Sequence, residues 1–230
     1  MRSATSSINL LLLACLVAGA CSDQSPATLA VRQAPSASGD GQTQLVDAYL
    51  HDPIRVVVTE EGIPKAGVSV VWETSGPGAT VGQSTISDPD GMAQTFWKMP
   101  NTAGPQQATA TVLGAAGSPV TFVATALPGP PSRILIEAGD GQSQIADLVF
   151  TESLAVRVTD RLSNRLAQVP VQWQVTTGTV ILDAAVTNSG TDGIAEVRIR
   201  AGVVPGAATV TAALAGGSPA VVFHVTVEPP

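Results

Sequence analysis

Val169-Pro170-Val171-Gln172-Trp173-Gln174-Val175 sets Val169, Val171, Trp173 and Val175 on alternate positions, with Pro170, Gln172 and Gln174 between them. A period of two marks a strand with one buried face, because successive side chains of a strand point to opposite sides of the sheet. Further on, Val197 and Ile199 alternate with Glu196, Arg198 and Arg200 in the same way. No stretch keeps a helical period. Strand-sized runs are separated by clusters of Gly, Pro, Asp and Ser, and seven or so such strands in about 100 residues predict an all-β sandwich.

The strand that carries Trp173 has a counterpart at Trp72, and the spacing of about 100 residues recurs along the chain. Gly39-Asp40-Gly41-Gln42 returns as Gly139-Asp140-Gly141-Gln142, and Val56-Val57-Val58-Thr59-Glu60 as Val156-Arg157-Val158-Thr159-Asp160. Asp90-Gly91-Met92-Ala93 matches Asp192-Gly193-Ile194-Ala195, and Gly117-Ser118-Pro119 matches Gly217-Ser218-Pro219. Ordered landmarks at one period are the mark of a tandem repeat. The expected division is a leader over 1–20, a stem over 21–27, one module over 28–127, a connector over 128–132 and a second module over 133–230. The connector, Pro128-Gly129-Pro130-Pro131-Ser132, favours extended backbone. Gly129 is its expected weak point, as the one connector residue free to take positive φ. An elongated monomer is expected.

Each copy resembles a bacterial immunoglobulin-like domain of the invasin and intimin class. The resemblance rests on Val58-Thr59-Glu60, Ala66-Gly67-Val68-Ser69-Val70-Val71-Trp72 and Asp88-Pro89-Asp90-Gly91-Met92-Ala93 in the first copy. In the second it rests on Val158-Thr159-Asp160, Val169-Pro170-Val171-Gln172-Trp173, Thr191-Asp192-Gly193-Ile194-Ala195 and Val210-Thr211-Ala212. It implies two tandem immunoglobulin-like β-sandwiches over about residues 27–227 and carries no receptor with it. The turn usual in that class, Gly-Asn-Pro, is replaced by Glu61-Gly62-Ile63-Pro64 in one copy and Arg161-Leu162-Ser163-Asn164 in the other. That difference is expected to alter a loop and leave the fold intact.

The N-terminus reads as an address. Arg2 precedes an apolar run from about Ile8 to Val17, too short to span a bilayer, and Ala18-Gly19-Ala20 lead to Cys21. This ending resembles a bacterial lipobox, which implies acyl chains on Cys21 and attachment to the membrane through them. Leu12-Leu13-Ala14-Cys15 is a competing match, and an ordinary secretory signal with a leftover cysteine is the plainer alternative. After cleavage before Cys21 no second cysteine remains to form an intrachain disulfide. Ser22 after the acyl site implies sorting to the outer membrane.

Composition narrows the function. The chain has 230 residues, a net charge of −7 and no run of Lys or Arg, so nucleic acid is not an expected partner. Aromatic residues are only 3%, which suits sandwich cores built from small aliphatics. His51 and His224 are the only histidines, one in a polar turn and one alternating outward between Phe223 and Val225. Asp88 and Asp90 are spaced for a hairpin turn rather than for the six to eight oxygens that calcium takes. Asp40 and Asp140 read as turn residues, with a weak interdomain ion as the sharper alternative. Gly76-Pro77-Gly78 lacks the spacing and the following helix of a dinucleotide fingerprint. No catalytic residue, metal ligand or cofactor is expected. Trp72 and Trp173 take inward positions and are assigned to the cores.

One aromatic departs from the repeat. Phe96 falls on an outward position where the second copy has Arg198, which makes it the candidate partner contact, for an unidentified protein or glycan. The expected role is a non-catalytic envelope lipoprotein acting as spacer or scaffold, the alternative an adhesion or binding module at the cell surface.

Overall fold

The computed structural model describes residues 28–230, so Cys21 and the leader lie outside the described residues. The first module consists of β1 (Leu29–Gln33), β2 (Gln42–Leu45), β3 (Ile54–Glu60), β4 (Ile63–Pro64), β5 (Ser69–Thr74), β6 (Thr80–Val81), β7 (Ser84–Ile86), β8 (Met92–Thr95), β9 (Trp97–Lys98), β10 (Gly104–Thr111) and β11 (Val120–Leu127). The second consists of β12 (Arg133–Ala138), β13 (Ser143–Ile145), β14 (Leu154–Thr159), β15 (Pro170–Thr177), β16 (Val180–Leu182), β17 (Val186–Asn188), β18 (Ile194–Val197), β19 (Ile199–Ala201), β20 (Gly206–Leu214) and β21 (Ala220–Glu228). The described chain is all-β.

Both modules use one plan. A five-stranded sheet, β2-β11-β10-β5-β7 in the first and β13-β21-β20-β15-β17 in the second, packs on a smaller sheet, β1-β3-β8 or β12-β14-β18. Short ribbons, β6 with β9 and β16 with β19, extend each sandwich. β2 runs parallel to β11, as β13 does to β21; the other named strand pairs are antiparallel.

Alternation in the sequence becomes two faces. Along β11 Val120, Phe122, Ala124 and Ala126 are buried, while Thr121, Val123, Thr125 and Leu127 are exposed. The tryptophans lie in the cores: Trp72 leans on Phe122 at 6.1 Å between ring centroids, and Trp173 on Phe223 at 5.9 Å. Such tilted pairs add about 0.5–1.5 kcal/mol beyond the area they bury. The indole N–H groups of Trp72 and Trp173 find partners there, donating at 2.8 Å to Thr85 Oγ1 and Thr187 Oγ1.

The repeated Gly-Asp-Gly-Gln is a structural clasp. Gly39 and Gly139 have positive φ, and a Cβ on either would sit 2.2 or 2.3 Å from a backbone oxygen, of Pro53 or Ser153. Only glycine fits both demands. Gln42 then donates to the carbonyls of Gly39 and Asp52 and accepts from Asp52 N, and Gln142 repeats the pattern with Gly139 and Glu152.

Candidate functional site

Among the described residues, those that could do chemistry do not converge. His51 and His224 are largely exposed, each beside one aspartate. Asp88 Oδ1 accepts from the amides of Asp90 and Met92 and caps the hairpin that Gly91 turns. Asp40 Oδ1 accepts from Val123 N, and Asp140 Oδ1 from His224 N, at 2.7 Å each. Both therefore fasten a turn to a strand of their own module, and an interdomain ion finds no cluster there. Among the described residues no group of three His, Cys, Asp or Glu side chains could hold a metal ion. A surface depression of about 600 Å³ includes Arg55 and Asp88, but Arg55 is committed to Gln94 and to the carbonyl of Ala37.

Phe96 is exposed, at 57%, between the end of β8 and the start of β9. Tyr49 is exposed to the same extent and pairs by backbone with Lys98, two residues from Phe96. The other aromatic side chains of the described residues, Trp72, Trp97, Phe122, Phe150, Trp173 and Phe223, are buried. Among the described residues, the first module thus carries both of the exposed aromatic rings.

The densest polar construction lies where the modules meet. Asp160 is fully buried just past the end of β14. Its Oδ1 accepts from the amides of Leu162 and Asn164, and its Oδ2 from the amide of Gly129 and from Asn164 Nδ2, all at 2.8–2.9 Å. Four donors fill the lone pairs of one carboxylate, which is how a charge can be buried without a cation. Burial pushes the Asp160 carboxyl up, but those four bonds outweigh it and hold its pKa below the usual carboxylate range. The same bonds tie the loop after β14 to the connector.

Asn164, oriented by Asp160, reaches across. Its Oδ1 accepts from Ala103 N at 2.8 Å and its Nδ2 donates to Asn101 O at 2.9 Å, a two-point clamp on backbone of the first module. Leu162 packs against the first module's core. Arg161 donates to Asp47 Oδ2 at 2.7 Å, while Lys98 holds Asp47 Oδ1 at 2.6 Å. The Lys98 hydrogen bond, then that of Arg161, lowers the Asp47 pKa. Beside these contacts is a crevice of about 220 Å³ lined by Leu45, Val46, Pro130 and Leu162.

Gly129 thus differs from expectation. It does not adopt positive φ, and its amide is bound by Asp160, so the connector is pinned at the residue expected to flex. The stretch Arg161-Leu162-Ser163-Asn164, expected to matter only to a loop, carries the joint. Its departure from the other copy was the available signal; Asp47, Asn101 and Ala103 gave none, since two of them contribute backbone atoms.

No family model matches the sequence, and no curated protein does. Among solved structures, InvD of Yersinia pseudotuberculosis aligns over 88% of this chain and 58% of its own, at 16% identity and a TM-score of 0.53. The fold is a tandem of immunoglobulin-like sandwiches similar to that of InvD. The D00-D0 domain of intimin aligns over 87% of this chain and 99% of its own at 19% identity, with a TM-score of 0.42. FdeC, an Escherichia coli adhesin, aligns over 86% and 63% at 16% identity, with a TM-score of 0.45.

Proposed function

We propose that the chain is a non-catalytic lipoprotein of the cell envelope, anchored through acyl chains on Cys21, whose paired sandwiches act as a spacer or scaffold of set geometry. The observation that carries this reading is the joint. A spacer must hold its direction, and a two-point amide clamp locked by a buried carboxylate restricts the angle between modules in a way that a proline connector alone does not. The likeness in fold to immunoglobulin-like parts of bacterial adhesins supports an extracytoplasmic site of action. Ser22 after Cys21 favours the outer membrane.

Small-angle scattering of residues 22–230, combined with one spin-label distance between the modules, tests the reading. An elongated monomer with a narrow distance distribution is expected; a broad distribution or side-by-side modules would overturn it. Anchoring is tested apart: Cys21→Ser should abolish palmitate labelling and release the protein, and continued label would place the anchor elsewhere.

Phe96 and Tyr49 favour a second reading, a protein- or glycan-binding surface on the first module. Under it, Phe96→Ser and Tyr49→Ser remove retention of residues 22–230 by envelope material while both modules still melt as in the parent.

A further inference from the structure

The joint has two halves, and each half has a relative in the other module. The acceptor half, at the end of the first module where β2 and β11 finish, consists of Asp47 and the segment 99–103 that joins β9 to β10. Its relative in the second module consists of Asp147 and segment 201–205. The correspondence is fixed by structure: Asp47 and Asp147 share φ of 64°, Lys98 and Arg200 pair with Tyr49 and Val149, and Gly104 and Gly206 start β10 and β20 after five intervening residues. The docking half is the loop 160–165, whose relative in the first module is 60–64.

If both relatives kept the chemistry of the joint, the protein would polymerise. A docking half on one end and an acceptor half on the other make a heterologous contact, which forms open chains unless the rotation closes. Both relatives are altered at the contact atoms. Ala103, whose N–H serves the clamp, corresponds to Pro205, which has none. Asn101 and Thr102 correspond to Val203 and Val204, exposed at 75% and 58%. At the other end the loop is one residue shorter and ends in Ile63-Pro64, with no amide side chain to reach across. Arg161 corresponds to Glu61, which would meet the carboxylate of Asp147 rather than pair with it.

We propose that the joint is directional and self-terminating: it accepts this chain's own second module, and Glu61 with Ile63-Pro64 at one end and Val203-Val204-Pro205 at the other stop a second copy of the chain from repeating it. Three unlike obstacles act on one contact: a lost donor, a lost amide and a reversed charge. Design against a competing assembly works through such repulsive or unpaired groups. The inference rests on the same joint as the spacer reading, but it concerns assembly between molecules and not the angle within one.

Sedimentation of residues 22–230 at about 1 mM, the effective concentration a short connector supplies within one chain, is the first test. The parent stays monomeric. One variant carries Val203→Asn, Val204→Thr and Pro205→Ala; a second replaces residues 60–64 with the sequence of residues 160–165. Each alone is monomeric, and their equimolar mixture sediments at twice the mass. A parent that forms chains, or a mixture of folded variants that stays monomeric, overturns the proposal. A cysteine pair probes the same contact without the loop graft. Asp47→Cys with Arg161→Cys must close within one molecule; failure of folded protein to form that bond would overturn the contact on which the proposal rests. Failure of the spacer reading is read separately, as a broad intramolecular distance.

Discussion

Between Thr59 and Lys65 the first module turns in five residues; between Thr159 and Leu166 the second takes six. The shorter loop is a backbone hairpin, with Glu61 and Gly62 both at positive φ and β4 paired to β3. Those paired left-handed residues match the twist of the flanking strands and leave side chains free to face solvent. Glu60 takes Lys65 at 2.6 Å, and Ile63 is 70% exposed. In the longer loop a side chain adds to the backbone bonds: Asp160, one methylene shorter than Glu60, folds back on the amides two and four residues ahead. That arrangement leaves the amide of Asn164 facing outward with its orientation fixed. The same place in one fold is a finished turn in one copy and a connector in the other, and the difference includes one residue in length, one methylene in the first side chain, and the Arg161 and Asn164 side chains that the shorter loop lacks.

The cores, by contrast, are equivalent, and they set the largest expected effect. Trp72→Ala and Trp173→Ala should each destabilise their own module by about 3–5 kcal/mol, the usual result of truncating a buried tryptophan. Separate cores predict that each change moves one of two thermal transitions, independently of the other. Less than about 1 kcal/mol for either would break the equivalence.

The two acids that open the loops come next. Asp160→Ala leaves four donors without their acceptor and should cost about 2–3 kcal/mol, read as a lower second transition and a broadened distance between modules. Glu60→Ala removes only a partly exposed ion pair and should stay below about 1 kcal/mol. Acidity gives the same contrast. A carboxyl whose folded pKa is depressed contributes stability that is complete above its unfolded value, about 3.9, and is lost as pH falls through the lower folded one. Asp160 is such a group, so the joint should hold at neutral pH and open only below about pH 4. A joint that loosens between about pH 7 and 5 would point to another titrating group.

Asn164→Ala tests the clamp without removing the lock. It deletes both bonds to the first module and one to Asp160, with an expected loss of about 2 kcal/mol from docking. The distance distribution should widen while both melts change little. Pro64→Ala in the other loop should alter neither, and a widening there would show that the hairpin end also carries a contact.

Sequence and structure agree where burial sets a period and part company where one side chain meets another module's backbone. The strands, the inward tryptophans and the hairpin at Asp88 are legible because alternation and turn chemistry act within a few residues of each other. Phe96 is legible for the same reason, as an aromatic on an outward position. Asn164 is not. Its partners, Asn101 O and Ala103 N, are some sixty residues away and are backbone atoms, which any residue but proline supplies alike. Asp160 belongs to the Val-Thr-Asp landmark and reads as part of the repeat, while its function depends on the loop that follows it and on Gly129, thirty-one residues earlier. What the sequence does hold is the departure of one copy from the other, at 160–164 and again at 203–205.

The smallest expected effects come from Gly129, where two substitutions should act in opposite directions. Gly129 is not in the left-handed region, and a Cβ built there would lie 3.5 Å from Asp160 Oδ2 and 3.6 Å from Asp160 Cβ, ordinary contact distances. Gly129→Ala therefore keeps the N–H and fits the space. By narrowing the unfolded chain it should stabilise the joint by about 0.4–1 kcal/mol. Gly129→Pro narrows the unfolded chain further but deletes the donor to Asp160 Oδ2, leaving that oxygen with Asn164 Nδ2 alone. The lost charge-assisted bond should outweigh the entropic gain and leave a net loss of about 1 kcal/mol. If the connector were merely a flexible spacer between independent modules, proline would stiffen it at least as well as alanine does. Measuring the interdomain distance distribution of both variants therefore decides between a stiff chain and a locked joint: a narrower distribution for proline than for alanine would remove Asp160 from its assigned role.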